Sequence, residues 1–176
     1  MIDSKSSLER DQLGHTHSVL DKKEYNAVAD VVVSCDTKGI IEYWSGYEER
    51  CSFPASSVNF EFKSDTDLYE LLKTHSYAIS IAFSHSGTKF AIYTSDKHVI
   101  IFWFKSGKKC RVFDESTATF IEDQQNNRHI PDFEFGRRLA VEKELEKTNT
   151  ILYTNLTFDE SDNFLIVPSM IGIKCA

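Results

Sequence analysis

Short apolar runs separated by turn residues dominate the chain from residue 15 onward. The runs are rich in Val, Ile, Phe and Tyr, and Asp, Gly, Ser and Lys stand between them, which indicates strands joined by tight turns. Most runs are too short and too β-branched to be helices. The clearest of them cover residues 30–34, 40–44, 79–83, 90–93, 99–104 and 164–167. This pattern predicts an all-β fold.

The runs recur in a fixed internal order, and such an order indicates a repeat architecture. The first two copies have a His, an aromatic residue eight positions later, a turn Asp preceded by a Ser, and an apolar strand that ends in an aromatic residue. A more polar fourth strand follows in the first two copies. The third copy is weaker and lacks both the His and the turn Asp. The repeat positions are His17, Tyr25, Ser34, Asp36 and Trp44, then His75, Phe83, Ser95, Asp96 and Phe102, then Thr150 and Phe158.

These motifs resemble those of a known repeat family. The turn Ser34-x-Asp36-x-x-Gly39-x-Ile41-x-x-Trp44 is similar to WD repeats, whose four-stranded units are the blades of a β-propeller. More specific are the segments between the copies, at 63–70, 111–116, 131–138 and 142–147, which resemble the cyclophilin–WD-repeat family. The resemblance covers residues from about 17 to 174. It implies a WD40-type β-propeller fragment of two to three four-stranded antiparallel blades.

The spacing of the copies predicts insertions. His17 and His75 are 58 positions apart and His75 and Thr150 are 75 apart, whereas a blade takes about 40–45 residues. We therefore expect a partial propeller with exposed strand edges rather than a closed ring. The predicted boundaries are a disordered tail at 1–14, repeats at about 15–54, 74–114 and 149–176, and helical insertions at about 65–73 and 132–148.

The second insertion is predicted to be one amphipathic helix with a narrow apolar stripe. Pro131 precedes it, and Asp132 is a candidate N-cap. The stripe either packs against the propeller edge or docks a partner, and both interpretations stay open. The candidate partner-binding residues of this helix are Phe135, Arg137, Arg138, Leu139 and Leu145.

Composition narrows the classes of function. The chain has 176 residues, a net charge of −7 and 41% hydrophobic residues, which is typical of one globular domain. No basic run is present, so direct nucleic-acid binding is not expected. His15 and His17 form an H-x-H pair without further ligands at metal-binding spacing, so no metal or other cofactor is predicted. No catalytic residue and no small-molecule substrate emerge from the motifs.

Targeting signals are not evident in the sequence. No run approaches the length of a membrane span, and the first residues lack the apolar core of a secretory signal. The four cysteines, at 35, 51, 110 and 175, form no C-x-x-C pair and are expected to be reduced and mostly buried. These features predict a soluble intracellular chain without membrane partners.

The family resemblance also implies a role. It suggests a nuclear protein-interaction scaffold in pre-mRNA splicing, with splicing factors as partners. In that family the prolyl isomerase activity lies in a cyclophilin domain C-terminal to the propeller, so this chain is predicted to be non-catalytic. Two alternatives remain: isomerase activity carried by a cyclophilin domain of the parent protein, or a truncated product without function.

Overall fold

Three antiparallel β-sheets form most of the structure. The computed structural model describes residues 22–46, 52–127, 130–148 and 154–176. Sheet I contains β1 (Lys22–Asn26), β2 (Val31–Cys35) and β3 (Ile41–Ser45); sheet II contains β4 (Ala78–Phe83), β5 (Lys89–Thr94), β6 (His98–Trp103) and β7 (Lys109–Asp114); sheet III contains β8 (Thr157–Phe158), β9 (Leu165–Ser169) and β10 (Gly172–Cys175). Neighbouring strands are consecutive in the chain. The predicted all-β, WD40-like fragment is confirmed at this level.

Helices occupy the connections between the sheets. A 3₁₀ turn at Lys63–Asp65 and the short helix α1 (Glu70–Lys73) lie between sheets I and II, whereas α2 (Thr117–Asn127) and α3 (Asp132–Lys147) lie between sheets II and III. The sequence pattern predicts one helix in the second connection, and the structure has two. Helix α2 escapes detection because its only large apolar residues, Phe120 and Ile121, are too few to form a stripe.

Sheet II lies between the other two sheets with both faces buried. Successive residues of a strand point to opposite faces, so β5 and β6 serve two cores at once. Phe90, Ile92, Ile100 and Phe102 join the core shared with sheet I, and Ala91, Tyr93, Val99 and Ile101 join the core shared with sheet III. This burial is what the continuous apolar runs predict. Trp103 is an exception, because it is 43% exposed and its ring lies 5.1 Å from the Lys89 Nζ.

The first strands of the three sheets lie side by side. Strand β1 contacts β4, and β4 contacts β8, which is consistent with successive WD-repeat blades. Only sheet II has four strands among the described residues, and its outer strand β7 is largely exposed, as predicted. In sheet I the Ser45 N–H donates to the Ser52 carbonyl at 2.8 Å. Most of the fourth strand predicted for the first copy lies outside the described residues.

Side chains in the hairpin turns connect each sheet to the next. The buried Asn26 accepts the N–H groups of Val28 and Ala29 within its own turn, and its Nδ2 donates to the Gly87 carbonyl of sheet II at 2.9 Å. On the other side of sheet II, the Asp162 carboxylate accepts the N–H groups of His85 and Ser86 at 2.6 and 2.9 Å. These bonds hold the three hairpins in register.

Candidate partner-binding surface

A lysine in the β5–β6 turn fixes helix α3 on the fold. Lys97 adopts a left-handed backbone conformation with φ of 63°, and its Nζ lies 2.7 Å from a Glu142 oxygen and 2.6 Å from a Glu146 oxygen. Burial alone would lower the pKa of Lys97, but the hydrogen bonds and charges of the two glutamates raise it. The two glutamates repel each other in an isolated helix, and the shared cation removes that cost. Tertiary contact therefore sets the orientation of α3.

The start of α3 is joined to α2 by a buried amide. The Gln124 Nε2 donates to the Ile130 carbonyl at 2.6 Å and to the Asp132 carboxylate at 3.1 Å. Asp132 is the first residue of the helix, and Pro131 is the N-cap without a side-chain hydrogen bond. The predicted N-cap role of Asp132 is therefore wrong, because its carboxylate faces α2.

The predicted apolar stripe of α3 faces mostly inward. Phe135 is 8% exposed, and Leu139 and Leu145 are half-buried. Arg138 bonds to Glu134 at 2.9 Å and to the Met170 carbonyl of the β9–β10 turn at 3.4 Å, whereas Arg137 is largely exposed. The burial of Phe135 favours packing against the fold over partner docking for this residue. Other residues form the exposed face of α3.

The outer face of α3 presents apolar side chains that the stripe does not include. Phe133 is 85% exposed and Val141 is 58% exposed, and their spacing of eight places them on one side of the helix with Arg137 between them. Ile173 on the edge strand β10 is 79% exposed. The signal that could have found Phe133 and Val141 is this i, i+8 spacing. We call Phe133, Arg137 and Val141 the outer α3 surface.

In the first repeat copy a hydrogen bond joins the Trp to the repeat Ser. The Trp44 Nε1 donates to the Ser34 Oγ at 2.8 Å across β2 and β3. The buried Asp36 accepts the N–H groups of Lys38 and Ile40 at 2.9 and 2.8 Å, which closes the β2–β3 turn. His17 lies outside the described residues. The structure thus brings Ser34, Asp36 and Trp44 to one hairpin.

The corresponding turn of the second copy has different hydrogen bonds. The Ser95 Oγ accepts the Tyr77 N–H at 3.2 Å, and Asp96 accepts a hydrogen bond from Thr94 and lies 3.2 Å from the His98 Nδ1. Phe102 is fully buried and stacks on Phe90, with ring centroids 5.1 Å apart. His75 is exposed, with φ of 54°, so it does not join Ser95 and Asp96.

The acidic residues at the start of α1 bond to sheet II rather than capping the helix. The Asp67 carboxylate accepts the Lys109 N–H at 2.8 Å, and Glu70 forms an ion pair with the Lys109 Nζ at 2.5 Å. The N-cap of α1 is Tyr69, without a side-chain hydrogen bond. These bonds join the connection between sheets I and II to the start of β7.

Other candidate chemistry is sparse in the described part of the chain. Within residues 22–46, 52–127, 130–148 and 154–176, no three His, Cys, Asp or Glu side chains converge as metal ligands. In the same ranges, every helix is too short or too polar to cross a bilayer. Cys35 is buried, Cys110 is half-buried and Cys175 is exposed, so the expected burial of most cysteines is wrong for those described.

Comparison with known proteins identifies the family. Peptidylprolyl isomerase domain and WD repeat-containing protein 1 is 48% identical to this chain in both mouse and human, over 89% and 91% of the chain. The chain is homologous to a region of these proteins. Peptidyl-prolyl cis-trans isomerase CYP71 of Arabidopsis thaliana is 45% identical over 86% of the chain. The chain spans about 24% of the length of each of these relatives. No protein-family model matches the chain.

These relatives correct one expectation from the sequence. The chain is predicted to be non-catalytic, but the plant relative is itself named a peptidyl-prolyl cis-trans isomerase, and the mouse and human proteins carry an isomerase domain in their names. The family is therefore one of enzymes, and the non-enzyme interpretation is wrong. The motif pattern could not reveal this because a repeat signature reports a fold and not a reaction.

Proposed function

We propose that the protein is a peptidyl-prolyl cis-trans isomerase and that the sheets and helices described here bind its protein partner. The observation that carries the proposal is the identity of 45–48% to relatives named for this activity or this domain. Because the chain spans about a quarter of their length, the activity is assigned to the whole protein. The relatives' names also support a WD-repeat origin for the three sheets.

A binding surface has a clear physical use in such an enzyme. The barrier to rotation about a prolyl peptide bond is about 18–20 kcal/mol, so uncatalysed isomerisation takes tens to hundreds of seconds. A partner held on one part of the protein presents its prolyl bonds at a high effective concentration to the remainder. Substrate choice then depends on the binding surface as well as on the reacting bond.

The outer α3 surface is the proposed partner site. Phe133 and Val141 are large apolar residues in solvent, and Arg137 between them adds a donor of hydrogen bonds. The family resemblance suggests splicing factors as partners and the nucleus as the location, and we propose both for this protein. The acidic charge of the chain and the ion pairing of Arg138 and Lys97 favour protein over RNA as the ligand.

The isomerase assignment is tested on the complete gene product. Cis–trans exchange of a proline-containing peptide is measured by NMR exchange spectroscopy with the complete protein and with the 176-residue chain. We expect the complete protein to raise the exchange rate well above the uncatalysed rate. An unchanged rate with the complete, folded protein would overturn the isomerase assignment.

The partner surface is tested by a paired set of variants. Phe133→Ser combined with Val141→Asp removes the exposed apolar residues, and Lys143→Ser changes an exposed residue of the same helix as a control. Splicing factors recovered with the tagged protein from nuclear extract are quantified by mass spectrometry. We expect less splicing factor to be recovered with the double variant than with the wild type or the Lys143→Ser control. Equal recovery with these three proteins would contradict the proposed surface.

A further inference from the structure

An open groove with a volume of about 300 Å³ lies between sheets II and III, at the β8–β9 turn. Its walls come from the start of β5, the end of β6, the middle of β7 and the β8–β9 hairpin. We call it the sheet II–III groove. The lining residues used below are Lys89, Trp103, Arg111, Phe158, Asp162 and Phe164. Lys97 and Met170, which contact α3, are in turns at the other ends of these strands, so the groove is separate from the outer α3 surface.

Aromatic side chains in the groove are accessible to a ligand. Trp103 is 43% exposed and Phe164 is 56% exposed, whereas Phe158 is half-buried against the core between the two sheets. Val99 and Ile101 share a face of β6 with Trp103 and are buried in that core, so Trp103 lies where the core ends. Such rings offer a large and rigid contact area. An apolar side chain of a ligand therefore has rings to pack against.

The groove also contains two cations without a carboxylate partner. The Lys89 Nζ lies 5.1 Å from the centroid of the Trp103 ring, and Arg111 is exposed on the outer strand β7. Neither cation forms an ion pair with any residue in the part of the chain that the structure describes. Asp162 is also in the wall, but its two oxygens already accept the N–H groups of His85 and Ser86. The lining side chains thus carry two positive charges and one negative charge.

We propose that the sheet II–III groove binds an acidic peptide segment of a partner protein. A carboxylate of the segment bonds to Arg111, and a neighbouring apolar side chain packs against Trp103 and Phe164. A guanidinium presents paired N–H donors that match the two oxygens of a carboxylate, and Arg111 gives up no other ion pair to make this contact. The proposal goes beyond the proposed function, because it adds a second partner surface with its own chemistry.

Other ligands match the groove less well. A cationic group would be repelled by Lys89 and Arg111. Nucleic acid binds through a series of phosphate contacts, and the groove supplies two cations in a chain with a net charge of −7. A wholly apolar segment would bring no charge to complement the two cations. An acidic segment with an apolar residue uses both parts of the groove.

The indole N–H groups of the two tryptophans provide a direct readout of binding. Trp103 lines the groove, whereas the Trp44 Nε1 is bonded to Ser34 in sheet I, so the second NMR signal is an internal reference. The probe is a short acetylated peptide with phenylalanine between two glutamates, and glutamines replace the glutamates in the control peptide. Because Ala176 also lines the groove, the ¹⁵N-labelled 176-residue chain carries an amidated C-terminus.

The two peptides separate charge recognition from apolar contact. We expect the acidic peptide to shift the Trp103 signal saturably and to leave the Trp44 signal unchanged. The glutamine peptide should bind about ten-fold more weakly or worse, because it lacks the charged hydrogen bonds. Equal shifts with both peptides, or none with either, would overturn the proposal. Oligouridylate is titrated in the same way, and binding as tight as that of the acidic peptide would assign the groove to nucleic acid instead.

Variants connect the binding to the unpaired cations. Arg111→Gln is expected to weaken binding of the acidic peptide about ten-fold or more, the usual consequence of losing a charged hydrogen bond. Lys143→Gln removes a positive charge from an exposed site on α3 outside the groove and should leave the affinity unchanged. Unaltered affinity of folded Arg111→Gln protein contradicts the assignment.

A second variant decides the matter if Arg111→Gln does not fold. Lys89→Gln keeps the Trp103 signal and should also weaken binding of the acidic peptide, whereas unchanged affinity in this variant would count against the site.

The complete gene product is tested with the same two peptides by isothermal titration calorimetry. We expect it to prefer the acidic peptide as the 176-residue chain does. No binding would mean that the rest of the protein covers the groove and would overturn its role as a partner site. None of these measurements involves isomerase activity or the outer α3 surface, so failure here leaves the proposed function standing.

Discussion

Asn26 offers the sharpest test of how the sheets are held together. It is 1% exposed and makes three hydrogen bonds, two to backbone N–H groups of its own turn and one from Nδ2 to the Gly87 carbonyl of sheet II. The perturbation is Asn26→Asp, which keeps the size of the side chain. The carboxylate can still accept from the turn, but it has no donor for Gly87. Only the bond between sheets I and II is lost.

The expected cost follows from that one bond. Loss of a donor to the buried Gly87 carbonyl costs about 1–3 kcal/mol, and the new negative charge beside this oxygen adds to it. We therefore expect the free energy of unfolding at pH 7 to fall by about 2–3 kcal/mol. For a chain of this size that corresponds to a decrease in Tm of roughly 4–10 °C.

The pH dependence identifies the mechanism. The Gly87 carbonyl and burial disfavour the charged form, whereas the two N–H groups of the turn favour it. We expect the first two effects to prevail, so that the pKa of the substituted carboxyl is raised in the folded state above its unfolded value near 4. Stability from the protonated form, which can donate to Gly87, is then present at low pH and lost as the pH rises through the folded-state pKa. The difference from the wild-type protein should narrow towards acid pH.

Urea unfolding followed by tryptophan fluorescence measures the effect. Trp44 is in sheet I and Trp103 is in sheet II, so the signal reports on both sides of the contact. Asn155→Asp, at an exposed position, introduces the same charge without a buried bond and is the control. Equal midpoints for Asn26→Asp and the control at pH 7 would refute the claim that the Asn26–Gly87 bond holds the sheets together.

Two further predictions concern the backbone and a buried phenol. Gly39→Ala should lower the free energy of unfolding by more than about 1 kcal/mol, because φ is 82° and a Cβ would lie 2.3 Å from a backbone oxygen. Gly136→Ala lies inside α3 with open space around it and should raise the free energy of unfolding by about 0.5–1 kcal/mol. The urea midpoints of both variants measure these changes. Burial strongly raises the pKa of Tyr43 in the folded state. The stability that the neutral phenol contributes is therefore present below about pH 10 and is lost as the pH rises further. In an alkaline unfolding titration, the Tyr43→Phe protein should lose less stability above about pH 10 than the wild type.

The repeat order illustrates what local sequence determines. Short β-branched runs with turn residues between them specify strands and hairpins locally, and the spacing of Trp44 and Phe102 places them on the third strands of sheets I and II. The continuous apolar runs of β5 and β6 likewise predict burial on both faces, because a strand with two apolar faces needs a sheet on each side. The Trp44–Ser34 hydrogen bond follows from the same repeat pattern.

The candidate sites depend on contacts that local sequence does not contain. Lys97 and the glutamates of α3 are 45 or more positions apart, and Glu115 and Lys174 are 59 apart, so neither pairing has a local signature. The same holds for the inward rotation of Phe135. The sequence alone thus determined the strands, the turns and the family. Only the tertiary structure decided which face of α3 is exposed and which charges pair, because both result from long-range packing.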